Sequence, residues 1–354
     1  MSQRHPRLAA IATAVPPYAL GQEEVTRRAR MLYAQLGAAD TDRLMPVFAN
    51  SNIERRYSCV PIEWYGEPRG WTERNALYLE HAQSLLEKAA RDCLDRAGLT
   101  PRDVDAVVTV STTGIATPSL GAMLSNRMGM RPDVKRLPIF GLGCAGGVLG
   151  LARAADWARA MPGSTVLFLV VELCALSFRR NDTSKSNIVA TALFGDGAAA
   201  ALLSSDDAVD GIAFGPSGEH LFPDTLGIMG WDVGDDGLKA VFSRDIPALV
   251  RREMRGSTTA FLERHGLALS DIDRFVCHPG GTKVVVALEE AFAIPENTLS
   301  VEREVLRDYG NMSAATLLFV LERVIREQPT GRLLLTAMGP GFTAGFQLME
   351  APSA

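Results

Sequence analysis

Short apolar runs closed by glycine or polar turns alternate with longer stretches of helical spacing along most of the chain. Residues 8–14, 104–110, 137–140, 164–172 and 198–203 read as buried strands, and so do 238–242, 275–278, 332–338 and 344–349. Between them, 23–36, 75–97, 246–265, 282–292 and 314–327 carry apolar residues at helical spacing, as does the stretch from Val148 through Trp157. Asn75 is the expected N-cap of its helix and Gly98 its stop. Residues 43–74 are polar, aromatic and irregular, suited to capping a cavity or crossing the surface; 174–186 and 211–237 read as loops.

One pattern occurs twice. Residues 93–110 (CLDRAGLTPRDVDAVVTV) align without gaps on 261–278 (FLERHGLALSDIDRFVCH), with Leu94, Arg96, Gly98, Leu99, Asp103, Asp105 and Val108 recurring as Leu262, Arg264, Gly266, Leu267, Asp271, Asp273 and Val276. A helix, a glycine stop, a loop and a strand are thus repeated, the mark of a duplicated α/β unit. The polar break Ser204-Ser205-Asp206-Asp207 divides the chain into expected halves, 1–206 and 207–354.

Length and charge narrow the class. A chain of 354 residues with 47% hydrophobic and 22% charged residues can bury a large shared core. Its 36 basic and 41 acidic residues leave a formal charge of −5, which gives no general attraction to nucleic acid or to an anionic membrane. The longest uncharged apolar run, 137–151, is too short and glycine-rich to span a bilayer. Residues 8–15 run straight into Pro16-Pro17, so they are expected to form a first strand rather than a secretory leader. The five cysteines, at 59, 93, 144, 174 and 277, form no CxxC pair and no metal-ligand spacing, which points to free thiols in a reducing cytoplasm and to no metal.

Chemistry concentrates at GLGCAGG. Cys144 falls between an apolar strand and an apolar helix, with glycines at 141, 143, 146, 147 and 150 allowing close backbone approach. The N-terminus of the following helix is expected to favour the thiolate and lower the thiol pKa. His278 closes a strand before Pro279-Gly280-Gly281, and Asn311 stands where it or Ser313 can cap the helix that follows. Strand-end loops converge in layered α/β folds, so these three residues can share one pocket. There an imidazole beside a thiol gives a thiolate–imidazolium pair, and His and Asn donors serve an oxyanion, as acyl transfer and decarboxylative condensation require.

The motifs GCAGG at Cys144, FGDGAAA from Phe194, CHPGG at His278, GNMSAA at Asn311 and GPGFTAG from Gly339 occur in the order found in type III polyketide synthases. The chain resembles that family, the chalcone and stilbene synthases of the thiolase-like superfamily, in a bacterial form, from Leu8 to Leu348. The resemblance implies a duplicated, five-layered αβαβα thiolase-like fold, an α/β protein of two similar halves acting as a homodimer. It implies an acyl-CoA starter held as a thioester on Cys144, and malonyl-CoA decarboxylated beside His278 and Asn311. The enolate attacks, the chain returns to Cys144, and the cycle repeats before ring closure. CoA thioesters are then substrates, and no cofactor, acyl carrier protein or nucleic acid is implied.

Further positions carry over singly. Phe194 aligns with a gatekeeping aromatic between CoA tunnel and cavity, Cys174 and Ser177 with cavity threonines, and Thr117 with a residue that crosses the dimer; Ser313, beside Asn311, is expected on the substrate-binding surface as well. Three departures stand out. Ala240 replaces a second gatekeeping Phe, Trp231 stands where a small Gly is common, and of three basic CoA contacts only Arg43 remains, with Pro46 and Asn50 at the other two. Arg55 or Arg56 is expected to help hold CoA. The exchanged aromatics suggest a fatty acyl starter and alkylpyrone or alkylresorcinol products, with a small-starter or malonyl-primed enzyme as the alternative. Two rivals remain: a single-condensation ketoacyl synthase III, which GPGFTAG disfavours, and a non-catalytic partner of the same fold, which the intact Cys and His disfavour.

Overall fold

The strands, in chain order, are β1 (Arg7–Ala14), β2 (Tyr18–Gly21), β3 (Arg55–Ser58), β4 (Ala106–Val110), β5 (Lys135–Ile139), β6 (Thr165–Leu173), β7 (Asp196–Ser204), β8 (Ile212–Leu221), β9 (Met229–Gly234), β10 (Gly237–Phe242), β11 (Arg274–Cys277), β12 (Gly331–Gly339) and β13 (Thr343–Ala351). The helices are α1 (Gln22–Tyr33), α2 (Ala38–Leu44), α3 (Pro46–Ala49), α4 (Trp71–Arg96), α5 (Leu120–Met128), α6 (Gly146–Ala160), α7 (Lys185–Leu193), α8 (Ile246–Glu263), α9 (Thr282–Phe292), α10 (Ser300–Tyr309) and α11 (Ala314–Arg326). The structure, a computed structural model, describes residues 5–34, 38–206 and 208–352, with the backbone alone for 38–40. Leu36, the expected end of the first helix, and Asp207, at the expected break, lie outside the described residues.

The repeated sequence pattern becomes a repeated topology. In the first half β4 and β6 run parallel and β7 and β1 follow antiparallel; in the second, β11 and β12 run parallel and β13 and β8 follow antiparallel. β1 and β8 meet through Arg7 and Leu8 only, which joins the two sets of strands edge to edge. The aspartates of the echoed segments do the same work twice. Asp105 Oδ2 accepts from Thr165 N on β6, and Asp273 Oδ2 accepts from Arg332 N on β12, each at 2.8 Å. Asp103 and Asp271 each accept the backbone N–H three residues earlier, from Thr100 and Ala268, at 2.8 Å, and so close the turn before the strand.

Side-chain alternation along these strands builds the layers. On one face Val108, Val110, Phe168 and Val170 of the first half and Val276, Leu333 and Leu335 of the second enclose α6 and α11. On the opposite faces Val107, Leu167 and Leu169 meet α4 and α5, while Phe275, Leu334 and Phe346 meet α8 and α9. Helix, sheet, helix pair, sheet and helix make the five layers of the expected αβαβα arrangement. A helix wedged between two sheets must be apolar all round, and α11 is buried from Ala314 through Glu322. Its start lies against α6 so closely that a Cβ on Gly147 would stand 2.5 Å from Ala314 O. That contact brings the beginnings of the two central helices, and the residues just before them, to one place.

Several elements depart from the sequence reading. α4 starts at Trp71 after Gly70, not at Asn75, because the Asn75 amide is used to bracket Ile115: Nδ2 donates to Ile115 O at 3.0 Å and Oδ1 accepts from Ile115 N at 2.8 Å. β8 and β9 occupy the stretch 211–237 that reads as loop; both are half exposed and lack a continuous apolar run. Among the described residues no helix is long and apolar enough to cross a membrane.

Candidate active site

Cys144 sits in a tight 3-10 turn, Gly143–Ala145, that leads directly into α6. The turn is pressed from above by the loop between β12 and β13. A Cβ on Gly339 would lie 2.3 Å from Leu142 O, and one on Gly143, whose φ is +45°, 2.6 Å from Pro340 Cδ. GPGFTAG therefore holds the nucleophile turn through backbone contact that larger residues would prevent. From the other side Gly143 N donates to Thr112 Oγ1 at 3.2 Å. The sulfur itself is buried, 3.6 Å from Ser313 Oγ.

His278 and Asn311 join the same cluster from the second half. His278 follows β11 directly, with its N–H donating to Thr336 O at 2.9 Å, and both its ring nitrogens are buried without a hydrogen-bond partner. The Asn311 side chain is fixed at both ends: Nδ2 donates to Gly280 O at 3.0 Å and Oδ1 accepts from Ser313 N at 2.8 Å. Gly280 N in turn donates to His278 O at 3.0 Å. Cys144, Ser313, Asn311, Gly280 and His278 thus form one chain of contacts. Ser313 stands at φ 48°, ψ −130°, a strained setting for a residue with a side chain, of the kind that clusters at functional sites.

The electrostatics correct the expectation of a lowered thiol pKa. Burial pushes Cys144 up to about 12, against the smaller lowering effect of the Ser313 hydroxyl. The same burial pulls His278 down to about 4. Burial acting on each group separately favours a neutral thiol and a neutral imidazole in the free protein. Behind Cys144, Glu172 is fully buried and pushed up to about 8, again by burial. Its Oε2 accepts from Thr112 N at 3.0 Å and Thr113 Oγ1 at 2.8 Å, while Oε1 has no partner.

One wall is aromatic. Phe194 packs with Cys174 and Ala240, and its ring meets Trp231 edge-on at 6.4 Å and Phe242 edge-on at 5.5 Å. Trp231 and Ala240 are direct partners across the β9–β10 hairpin, and Trp231 Nε1 donates to Thr112 O at 2.9 Å. Behind this wall a cavity of about 190 Å³ touches Cys174, Ser177 and Phe194 and continues along Val25, Ala29 and Leu32 of α1. Its lining is almost wholly apolar, and Cys144 is not part of it.

Residues 2–207 match the family description "Chalcone and stilbene synthases, N-terminal domain", and residues 215–351 match its C-terminal counterpart. The chain belongs to the chalcone and stilbene synthase family. It is a type III polyketide synthase, an acyltransferase that condenses iteratively. It is 39% identical to a putative chalcone synthase of Bacillus subtilis (strain 168), over 96% of this chain and 97% of that one. With a 1,3,6,8-tetrahydroxynaphthalene synthase of Streptomyces peucetius subsp. caesius it shares 41%, over 97% and 92%. The solved 1,3,6,8-tetrahydroxynaphthalene synthase of Streptomyces coelicolor A3(2), a bacterial type III polyketide synthase, superposes with a TM-score of 0.93 at 29% identity, covering 98% of this chain and all of that one.

Other residues singled out in this type III synthase lie apart from the cluster. Thr117 is exposed on the loop before α5, Arg43 lies in the last turn of α2, and Arg55 is exposed on β3 with its guanidinium 5.5 Å from the Tyr57 ring centre. Arg56 is buried, and its two terminal nitrogens are spent on the carbonyls of Thr191, Ala192 and Phe194 and on Gln22, which leaves no exposed cation for CoA. Sequence reading missed Thr112, Glu172 and Phe242. Thr112 alone carries a signal, as one of the polar residues that follow a buried strand; a glutamate inside the apolar run of β6 and a Phe two residues beyond Ala240 acquire meaning only from their neighbours in space.

Proposed function

We propose that this type III polyketide synthase carries a starter acyl group on Cys144 and extends it with malonyl-CoA, using His278 and Asn311 as the donors of the condensation. The observation that carries this is the chain of contacts from the Cys144 sulfur through Ser313, Asn311 and Gly280 to the backbone carbonyl of His278, whose buried ring nitrogens are left free to serve a substrate. As the thiol attacks the acyl-CoA carbonyl, its proton passes to the unpartnered His278 ring, the thioester forms and CoA leaves as its thiol. Malonyl-CoA then loses CO2. The enolate oxygen meets His278 and the one amide N–H of Asn311 that Gly280 leaves unused. The enolate carbon attacks the thioester and expels the Cys144 thiolate, which then attacks the lengthened acyl-CoA, takes the chain back as a thioester and releases CoA.

The starter is a fatty acyl group in this reading, supported by the apolar cavity behind Phe194, Cys174 and Ser177, and the products are alkylpyrones or alkylresorcinols. The likeness to 1,3,6,8-tetrahydroxynaphthalene synthases favours a second reading, a product with no alkyl chain. CoA is held near Arg43 and Arg55, the two halves divide at 206/207, and the exposed Thr117 loop faces a second copy in a homodimer. The five buried, free thiols suit a reducing cytoplasm.

The test is incubation of the purified enzyme with malonyl-CoA and acyl-CoAs from acetyl to palmitoyl, read by mass spectrometry, with Cys144→Ala as control. Products extended at least twice in the wild type and none in the variant are expected. A single extension, or products formed by Cys144→Ala, refutes the proposal.

A further inference from the structure

A helix leaves its last carbonyls without partners, and α7 ends at Leu193, one residue before Phe194. Every one of those carbonyls is accounted for. Ala190 O accepts from Phe194 N at 2.8 Å and Leu193 O from Asn311 N at 2.8 Å. The others converge on one buried side chain. Arg56 Nη1 donates to Thr191 O at 2.6 Å and Phe194 O at 3.2 Å, and Nη2 donates to Ala192 O at 2.8 Å.

The segment so held is the one that carries the site. Phe194 and Asn311 form an isolated parallel bridge, with Gly195 N donating to Asn311 O at 3.0 Å. The bridge presents the Phe194 ring to the hairpin and the Asn311 amide to the pocket. Arg56 itself is braced by Gln22, whose Oε1 accepts from Nη2 and whose Nε2 donates to Ala192 O at 3.2 Å and Ser51 Oγ at 3.1 Å. A buried cation at a helix C-terminus is favoured by the carbonyl dipoles, and the two terminal nitrogens of the planar fork donate here to four acceptors, the three carbonyls and Gln22 Oε1, whereas an ammonium has three N–H donors in all.

We propose that Arg56 is a positioning residue for the condensation: one buried guanidinium ties the end of α7 so that the Phe194 ring and the Asn311 amide keep a fixed relation. This rests on the reading of Asn311 as an enolate donor. Arg56 touches no reacting atom and acts through the backbone of Phe194. With the bridge loosened, malonyl-CoA still binds, but the enolate is less often captured by the thioester.

The test is Arg56→Lys, with active sites counted by iodoacetamide titration of Cys144. Per titrated site, kcat for polyketide formation is expected to fall on the order of 10- to 100-fold, with KM for malonyl-CoA changed by no more than about twofold. CO2 released per carbon–carbon bond formed is expected to rise. A loss confined to the number of titrated sites, or an unchanged kcat and CO2 ratio per site, overturns the proposal. Should Arg56→Lys fail to fold, Gln22→Met, which keeps Arg56 and removes its brace, carries the same readouts. A smaller change in the same direction supports the proposal, and wild-type values overturn it. A wild-type enzyme that does not decarboxylate malonyl-CoA overturns the functional reading instead, before any variant is made.

Discussion

Ser313 places its hydroxyl 3.6 Å from the Cys144 sulfur while its own backbone stands at φ 48°, ψ −130°. The strain and the contact belong together, because the turn that makes Ser313 N donate to Asn311 Oδ1 also aims the hydroxyl at the thiol. Ser313→Gly and Ser313→Ala separate them. Both lose the hydroxyl that lowers the Cys144 pKa, so both should alkylate more slowly than wild type at pH 8. Only the glycine relieves the backbone, so it should be the more stable by about 1 kcal/mol. Equal unfolding free energies for the two variants would show that no strain is stored there.

The Cys144 thiol, pushed up to about 12 by burial, sets a pH profile for the free enzyme. Below its pKa the thiolate fraction grows about tenfold per pH unit. The iodoacetamide rate constant should therefore climb steadily from pH 7 to 10 without a plateau. A plateau beginning near neutrality would report a preformed thiolate–imidazolium pair and contradict the neutral resting state.

The sequence makes the duplication and the cluster legible for a physical reason. Asp105 and Asp273 recur because each must accept an amide from the neighbouring strand, and GPGFTAG and GCAGG are glycine-rich because their backbones touch. What it conceals depends on who meets whom. Asn75 looks like a cap, yet its amide is claimed by Ile115, forty positions on. Arg56 looks like a surface base beside Arg55, yet it lies inside because α7 offers it three carbonyls. The thiol pKa reads as lowered from the helix alone, and burial, which reverses it, is a property of the packed molecule.

Glu172 should make stability depend on pH. Its folded pKa, about 8, lies above the usual carboxyl value of 4.5, so the folded state binds a proton that the unfolded state releases between those limits. Its contribution is fully present below about pH 4.5 and is lost as pH rises through 8. Asp196 and Glu302, both pushed up to about 7, act in the same direction. His278, pulled down to about 4, acts oppositely, its contribution falling away below pH 6.5. Glu172→Gln keeps an acceptor for Thr112 and removes the titration. The variant should lose less stability than wild type between pH 5 and 8, by on the order of a few kcal/mol. Parallel unfolding curves for the two proteins at both pH values would place the Glu172 carboxyl in contact with water.

The aromatic wall sets a last expectation, about chain length. Trp231 does two separable things: its Nε1 donates to Thr112 O, which steadies the strand end beside the nucleophile turn, and its ring fills space against Phe194. Trp231→Phe keeps most of the ring and leaves Thr112 O without its donor, a loss of about 1 kcal/mol or more. It should lower the melting temperature while leaving the distribution of product lengths unchanged. Trp231→Gly also empties the space opposite Ala240, and the hairpin then presents no ring there but Phe242. Products with more extensions, or from bulkier starters, should follow, and Phe242→Ala should enhance the shift because it removes the other ring edge-on to Phe194. Identical product distributions in wild type, Trp231→Gly and the double variant, measured by mass spectrometry on one acyl-CoA panel, would mean that the chain grows away from this wall.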